Sequence, residues 1–301
     1  MGDRILILSP NQSRKYNRGH QLFRDEIARQ MDATFYGPGY DDYDPEKTIP
    51  DLVKEKGTNL VMTYGLKYSL PFKDLGDVKL PKVHVVVDYH PWREKQQDDF
   101  LKRNKYDLIF SRTSYAVRIL EKKGFEKVYV LPFSVDTEIF KGNGVEKSYE
   151  VSAILSEPVK KDLYPYRARV KRLIEMLNVG TFFTGNVYFD EYVEAINRTK
   201  IAVASVSEFR WLPMQYTEIM SCGTFLLANW VEDLSLLGVN NEEHLVLYNG
   251  LSDLEKKIKY FLKNEEEREE IAKQGMNLVR KYHGNKQRVK TFINIIKEEL
   301  F

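Results

Sequence analysis

Two glutamates, an arginine and several aromatic residues are gathered in the stretch Glu208-Phe-Arg210-Trp-Leu-Pro213-Met-Gln-Tyr-Thr-Glu218, and Gly223 then closes this segment ahead of an apolar run. A carboxylate near a helix start, at the carboxyl end of a parallel strand, is placed to accept hydrogen bonds from a sugar diol, as the acidic residue of a dinucleotide-binding fold holds its ribose. Glu218 is the candidate for that contact. Arg210 brings a fork of donors that suits phosphate oxygens. Asp88-Tyr-His90-Pro-Trp92 follows the apolar run Val83–Val87 and offers a base, a titratable donor and a flat apolar face, a set that fits a sugar ring or a phosphate.

Two more groups stand after apolar runs. Asn17-Arg18-Gly19 follows Arg4–Leu8, and Gly19 can open a helix whose free amides face an anion. No Gly-x-Gly-x-x-Gly occurs there, which argues against a nicotinamide or flavin site. Lys160, Lys161 and Arg167 follow Val151–Leu155 and could neutralise a diphosphate leaving group without a metal. Gly185-Asn186, after Thr181–Thr184, adds a glycine-bearing loop to the same half.

Positioning these groups after strands requires parallel sheets, and the chain alternates apolar runs with amphipathic helical stretches throughout. The first half has strand signals at Arg4–Leu8, Ala33–Tyr36, Asn59–Thr63, Val83–Val87, Leu108–Ser111 and Val128–Leu131, with helices expected over Gly19–Met31, Pro45–Lys56, Trp92–Asn104 and Thr113–Lys123. The second half repeats the pattern: strands Val151–Leu155, Thr181–Thr184, Lys200–Ser205 and Thr224–Ala228, and helices Tyr164–Leu177, Phe189–Asn197 and Leu212–Ser221. The glycine-bearing segment Gly142–Tyr149 reads as the join. The expected domains are therefore 1–143, taking back a C-terminal helix at 285–301, and 144–284. The fold class is α/β, two doubly wound parallel-sheet domains facing across a cleft, where ligands of such folds bind.

Composition excludes several classes. At 301 residues, 43% hydrophobic and 30% charged, the chain suits two soluble domains, and no apolar run nears the ~18 residues of a membrane span. Stable membrane insertion is not expected, and a peripheral membrane contact is left open. A net charge of +2 gives no concentrated basic footprint for nucleic acid. The lone Cys222 excludes an internal disulfide or a cysteine metal cluster, and with an opening apolar run too short for a secretory signal it points to the cytoplasm.

The second half resembles a glycosyltransferase of the GT-B fold, close to family 4 and to the spore-maturation-protein-like branch. Thr184-Gly185-Asn-Val-Tyr-Phe is similar to the family's glycine-containing loop, Lys200-Ile-Ala-Val-Ala-Ser-Val-Ser-Glu208 to the strand entering the donor loop, and Thr217-Glu218-Ile-Met-Ser-Cys-Gly223 to Glu-Ala-Met-Ala-Cys-Gly. His244–Tyr248 and Glu267–Gly275 resemble the family's C-terminal sequence, and Leu131-Pro-Phe-Ser-Val-Asp-Thr-Glu-Ile-Phe140 its interdomain Gly-Val-Asp-x-x-x-Phe, with Ser134 in place of glycine. The resemblance implies that Glu218 binds the ribose of a nucleotide sugar, that Gly185 and Asn186 lie against the base, and that His90 touches the transferred sugar. It departs in several places: the usual Gly-Phe-Gly-Leu is here Phe-Arg-Trp-Leu, and the family's phosphate-binding Arg and Lys pair is out of register, with Lys160, Lys161 and Arg167 only nearby. The family's first paired glutamate falls on Arg210, so Glu208 takes that role only in a longer loop.

The expected function is metal-independent transfer of a sugar from a UDP- or GDP-linked donor to an acceptor hydroxyl, with no further cofactor. His90, Asp88 and Arg210 are the catalytic candidates. Glu218, Glu208, Gly185, Asn186, Lys160, Lys161, Arg167 and Pro213 are assigned to the donor, and Asn17, Arg18, Gly19 and Trp92 to the acceptor. Retention of configuration is favoured over inversion through Asp88. A glycan, a lipid-linked sugar, a protein or a modified nucleobase all stand as acceptors. The alternative is a non-catalytic nucleotide-sugar or glycan-binding protein on the same fold.

Overall fold

The computed structural model describes residues 4–13, 19–65, 72–154, 165–183, 189–206 and 209–301. The apolar runs become two parallel sheets. In the first, β1 (Arg4–Leu8), β2 (Asp32–Tyr36), β3 (Leu60–Tyr64), β4 (Lys82–Val86), β5 (Leu108–Ser111) and β6 (Val128–Val130) lie in the order β2-β1-β3-β4-β5-β6. The second holds β7 (Tyr149–Ile154), β8 (Thr181–Phe183), β9 (Thr199–Ala204), β10 (Phe225–Ala228) and β11 (Val246–Leu247) in the order β11-β10-β9-β7-β8. Every strand pairing within them is parallel. Strands covered on both faces have no polar side to show, and β3 is buried at every position.

The helices are α1 (Gly19–Gln30), α2 (Ile49–Lys56), α3 (Glu94–Asn104), α4 (Ser114–Lys122), α5 (Pro165–Met176), α6 (Phe189–Asn197), α7 (Met214–Ser221), α8 (Leu251–Lys263), α9 (Glu265–Tyr282) and α10 (Asn285–Leu300). Several of them start later than the sequence predicts, α2 and α7 among them. Tyr36 Oη donates to Asp44 O at 2.7 Å and accepts from Asp44 N at 3.0 Å, which holds that segment as a turn. Thr48 then caps α2 by accepting from Asp51 N, and Gly57, with φ of 60°, ends it. Likewise α7 starts after Pro213, not at Leu212, because the residue before a proline is steered out of the helical region.

The chain divides into two compact units. One consists of residues up to Pro132, apart from a short segment ahead of His20, together with Arg288–Phe301; Phe133–Gln287 belongs to the other. The division falls ahead of the Gly142 segment because the residues after Pro132 bond into the second unit. Val135 N donates to His283 O, Asn285 N donates to Val135 O, and Phe140 packs edge-on against Phe189 at 5.5 Å. In the first unit, Leu6, Leu8 and Val61 pack with Ile49 and Leu52 of α2 on one sheet face. Phe292 of α10 meets Phe23 and Phe110, at 6.2 and 4.8 Å. The core of the second unit sets Val151, Ile201, Val203 and Phe225 against Val170 and Ile174 of α5 and Leu254 and Ile258 of α8.

Candidate functional site

Open parallel sheets bind ligands outside the carboxyl ends of their strands, where the strand order reverses. In the second unit that point lies between β7 and β9, since β8 lies on one side of β7 and β9 on the other. A cavity of about 740 Å³ opens at the carboxyl edge of this sheet, past the ends of β9, β10 and β11, lined by Tyr166 and Arg169 of α5, Arg210, Trp230 after β10, and Asp253 and Lys257 of α8. Arg169 sits 5.5 Å from the Tyr166 ring, and Trp230 is 57% exposed. Cations and flat aromatic faces around one concavity of this size suit an anionic ligand with a ring. Arg210 is exposed on its wall, at φ 51° in the left-handed region, strain of the kind that clusters at functional sites.

Glu218 lies apart from that cavity. It is the fifth residue of α7, not a residue of the helix start, and only 6% of it is exposed. Its Oε2 accepts from Tyr192 Oη of α6 at 2.8 Å. Among the described residues no other hydrogen bond reaches the carboxylate. Burial pushes its pKa up to about 7, with the Tyr192 bond opposing. Burial and then the Glu218 charge hold Tyr192 well above the usual phenol range, so Tyr192 is the donor. Pro213 stands extended immediately before α7. Arg167 is 8% exposed and its Nε donates to Ser205 O at 3.0 Å, tying α5 to the end of β9. The structure therefore brings Arg210 to the cavity wall and buries Glu218 and Arg167 outside its lining. Lys160, Lys161, Gly185, Asn186 and Glu208 lie outside the described residues, as do Asn17 and Arg18.

In the first unit, the loop after β4 holds Asp88, His90 and Trp92. The rings of His90 and Trp92 stack at 4.4 Å and 10°, and Trp92 is 51% exposed. Asp88 keeps a face to solvent, yet the protein crowding it raises its carboxyl pKa against the opposing charges of His90 and Arg93. Burial lowers the His90 pKa, and Asp88 opposes. The loop is braced from below: Tyr89 Oη donates to Asp98 at 2.6 Å, and Lys123 donates to Tyr89 at 3.2 Å and pairs with Glu94 and Asp98.

The sequence reading missed a cluster at the β1/β3 reversal of the same unit. His20 Nδ1 lies 3.1 Å from Tyr64 Oη, which accepts from Arg112 Nη2 at 2.8 Å, and the Arg24 guanidinium lies 5.0 Å from the Tyr64 ring centre. Its four members come from α1, β3 and the end of β5, and Tyr64 and Arg112 carry no local signal. No group of acidic, histidine or cysteine side chains placed for a metal is found among the described residues. Nor is any helix there long and apolar enough to cross a membrane.

A family described as glycosyl transferase-like matches residues 162–294, a span that encloses α7 and the cavity. Comparison with curated proteins finds no match. Among solved structures, Anabaena HepE in complex with UDP-glucose superposes with a TM-score of 0.72 at 11% identity, covering 98% of this chain and 99% of its own. A glycosyltransferase from Rickettsia africae gives 0.70 at 13%, with 99% of both chains covered. Sucrose-phosphate synthase from Thermosynechococcus elongatus gives 0.67 at 13%, again with 99% of both. The chain has the GT-B fold. At such identities the likeness is one of fold, and each GT-B unit here carries its own groups at the carboxyl edge of its sheet.

Proposed function

We propose that this GT-B protein is a glycosyltransferase that moves a sugar from a nucleoside-diphosphate sugar to an acceptor hydroxyl. The observation that carries the reading is Glu218, an almost fully buried carboxylate within the glycosyl transferase-like segment, with one oxygen taken by Tyr192 and no second partner among the described residues. Such a group suits a ribose hydroxyl, which donates to the carboxylate and offsets the solvation that burial removes. The UDP-glucose held by HepE supports a UDP-linked donor.

In this reading the second unit holds the nucleotide sugar. Negative charge grows on the departing diphosphate as the glycosidic bond breaks, and Arg210 stabilises it from the cavity wall, where preorganised charge gains most. The reaction needs no metal and no further cofactor, and it proceeds with retention. Family 4 and the spore-maturation-protein-like branch remain the proposed kin, and the cytoplasm the proposed location.

A thermal-shift series with UDP, GDP, ADP, CMP and dTDP, free and sugar-linked, tests the donor. Any one present at ~100 times its Kd adds about 2.7 kcal/mol of stability. A shift for one nucleotide that is lost in Glu218→Ala upholds the reading, and no shift with any nucleotide overturns it. Because the ribose hydroxyl donates to the ionised carboxylate, affinity should tighten as pH rises through about 7. The anomeric proton of the product, read by nuclear magnetic resonance, decides between retention and inversion.

A further inference from the structure

Tyr192 of α6 and Glu218 of α7 belong to the second unit, and among the described residues each side chain has only the other for a hydrogen-bond partner. Tyr192 Oη donates to Glu218 Oε2 at 2.8 Å, so Oε1 is the oxygen left open. The segment that leads into the unit fixes both helices. Asn143 N donates to Asn197 Oδ1 at 3.3 Å, Asn143 Nδ2 to Glu194 Oε2 at 3.0 Å, and Lys147 Nζ to Asn197 O at 3.3 Å, which anchors the end of α6. Phe140 meets the Tyr192 ring edge-on at 6.0 Å, while its carbonyl accepts from Ser221 Oγ at 2.6 Å. Ser221 follows Glu218 by three residues and shares its helix face. One stretch of chain thus holds the donor and the acid in register.

Among the described residues no other charge acts on the carboxylate. Burial raises its pKa to about 7, and the Tyr192 bond opposes. Lys147 also bonds Thr199 O and Thr224 Oγ1, and Arg280 of α9 bonds Thr137 O. Both act on the Cys222 thiol, which burial keeps protonated, its pKa pushed up to about 12. β9 and β10, packed on α7, carry only Lys200 between them.

We propose that Tyr192 is a positioning residue for nucleotide binding, holding Oε2 of Glu218 so that Oε1 is presented as the acceptor for a ribose hydroxyl. This role rests on the glycosyltransferase reading and adds to it a residue on a second helix that acts only through Glu218. Because a donor favours the ionised carboxylate, the same bond sets the pH at which the acceptor becomes available.

UDP and GDP, each titrated calorimetrically between about pH 5.5 and 9 into wild type, Tyr192→Phe and Glu218→Gln, test the role. Glu218→Gln reports the titration of the nucleotide's own phosphates, against which the other two proteins are read. In wild type the affinity should rise with a midpoint near 7. In Tyr192→Phe the midpoint should move up by about one unit or more, with affinity at pH 7 down about tenfold. A side chain that only packs would weaken binding equally at every pH, so an unmoved midpoint overturns the proposal, as does unchanged affinity. Tyr192→Phe combined with Glu218→Gln leaves no buried charge and should bind as Glu218→Gln does, and a further loss in the double variant also overturns it. Binding by wild type with an unmoved midpoint removes Tyr192 and keeps the nucleotide site, whereas no binding of either nucleotide overturns both readings.

Discussion

Glu218 and Arg210 show how differently two residues of one short segment are used. Burial raises the Glu218 pKa from 4.5 to about 7, so the protonated form suits the folded state. Its contribution to stability is fully present below pH 4.5 and is lost as pH rises through 7. Glu218→Gln keeps an acceptor for Tyr192 and removes that loss. Compared with wild type it should gain on the order of 3 kcal/mol at pH 8 and nothing at pH 4, read from denaturant midpoints at the two pH values. Arg210, exposed and left-handed, should behave in the opposite way. Arg210→Gly relieves its backbone, so the melting temperature should hold or rise, while transfer from the donor should fall sharply. A variant that melts lower and turns over normally would remove Arg210 from the proposed chemistry.

Among the elements, α9 carries a constraint that its helical pattern hides. Gly275 sits inside the helix, where glycine is unfavourable, because a Cβ there would lie 2.3 Å from His244 O. Gly275→Ala should therefore destabilise by about 1 to 3 kcal/mol despite its better helix propensity. A neutral or stabilising result in thermal unfolding would show that the His244 loop yields freely. Most strands were legible from sequence because buried parallel strands have to be apolar on both faces. Strand limits shifted by no more than a residue or two, as at β7, where Tyr149 and Glu150 extend the predicted run. The start of α2 was not legible, since it depends on Tyr36 reaching across to Asp44.

For the molecule as a whole, the end of the chain completes its beginning. Besides the contacts of Phe292 with Phe23 and Phe110, Glu299 accepts from Tyr129 Oη at 2.5 Å and Lys127 bonds Glu299 O at 2.7 Å. Phe292→Ala empties a fully buried site and should cost the first unit about 3 to 5 kcal/mol. Nucleotide binding, which the proposal assigns to the second unit, should persist in that variant at temperatures where both units stay folded. Loss of nucleotide binding with the first unit intact by circular dichroism would contradict that assignment.

The two parallel sheets and nearly all their elements were determined by the sequence alone, because hydrophobic period and glycine or proline punctuation act locally. Asp88, His90 and Arg210 could also be picked out, since polar groups directly after apolar runs must emerge at the carboxyl edge of a sheet. Only the tertiary structure decided that Tyr192 takes one oxygen of Glu218, that Arg167 Nε bonds Ser205 O, and that His20, Tyr64 and Arg112 meet. Those pairings join residues far apart in the chain, and the order in which strands lie side by side, which no local pattern encodes, is what brings them within bonding distance.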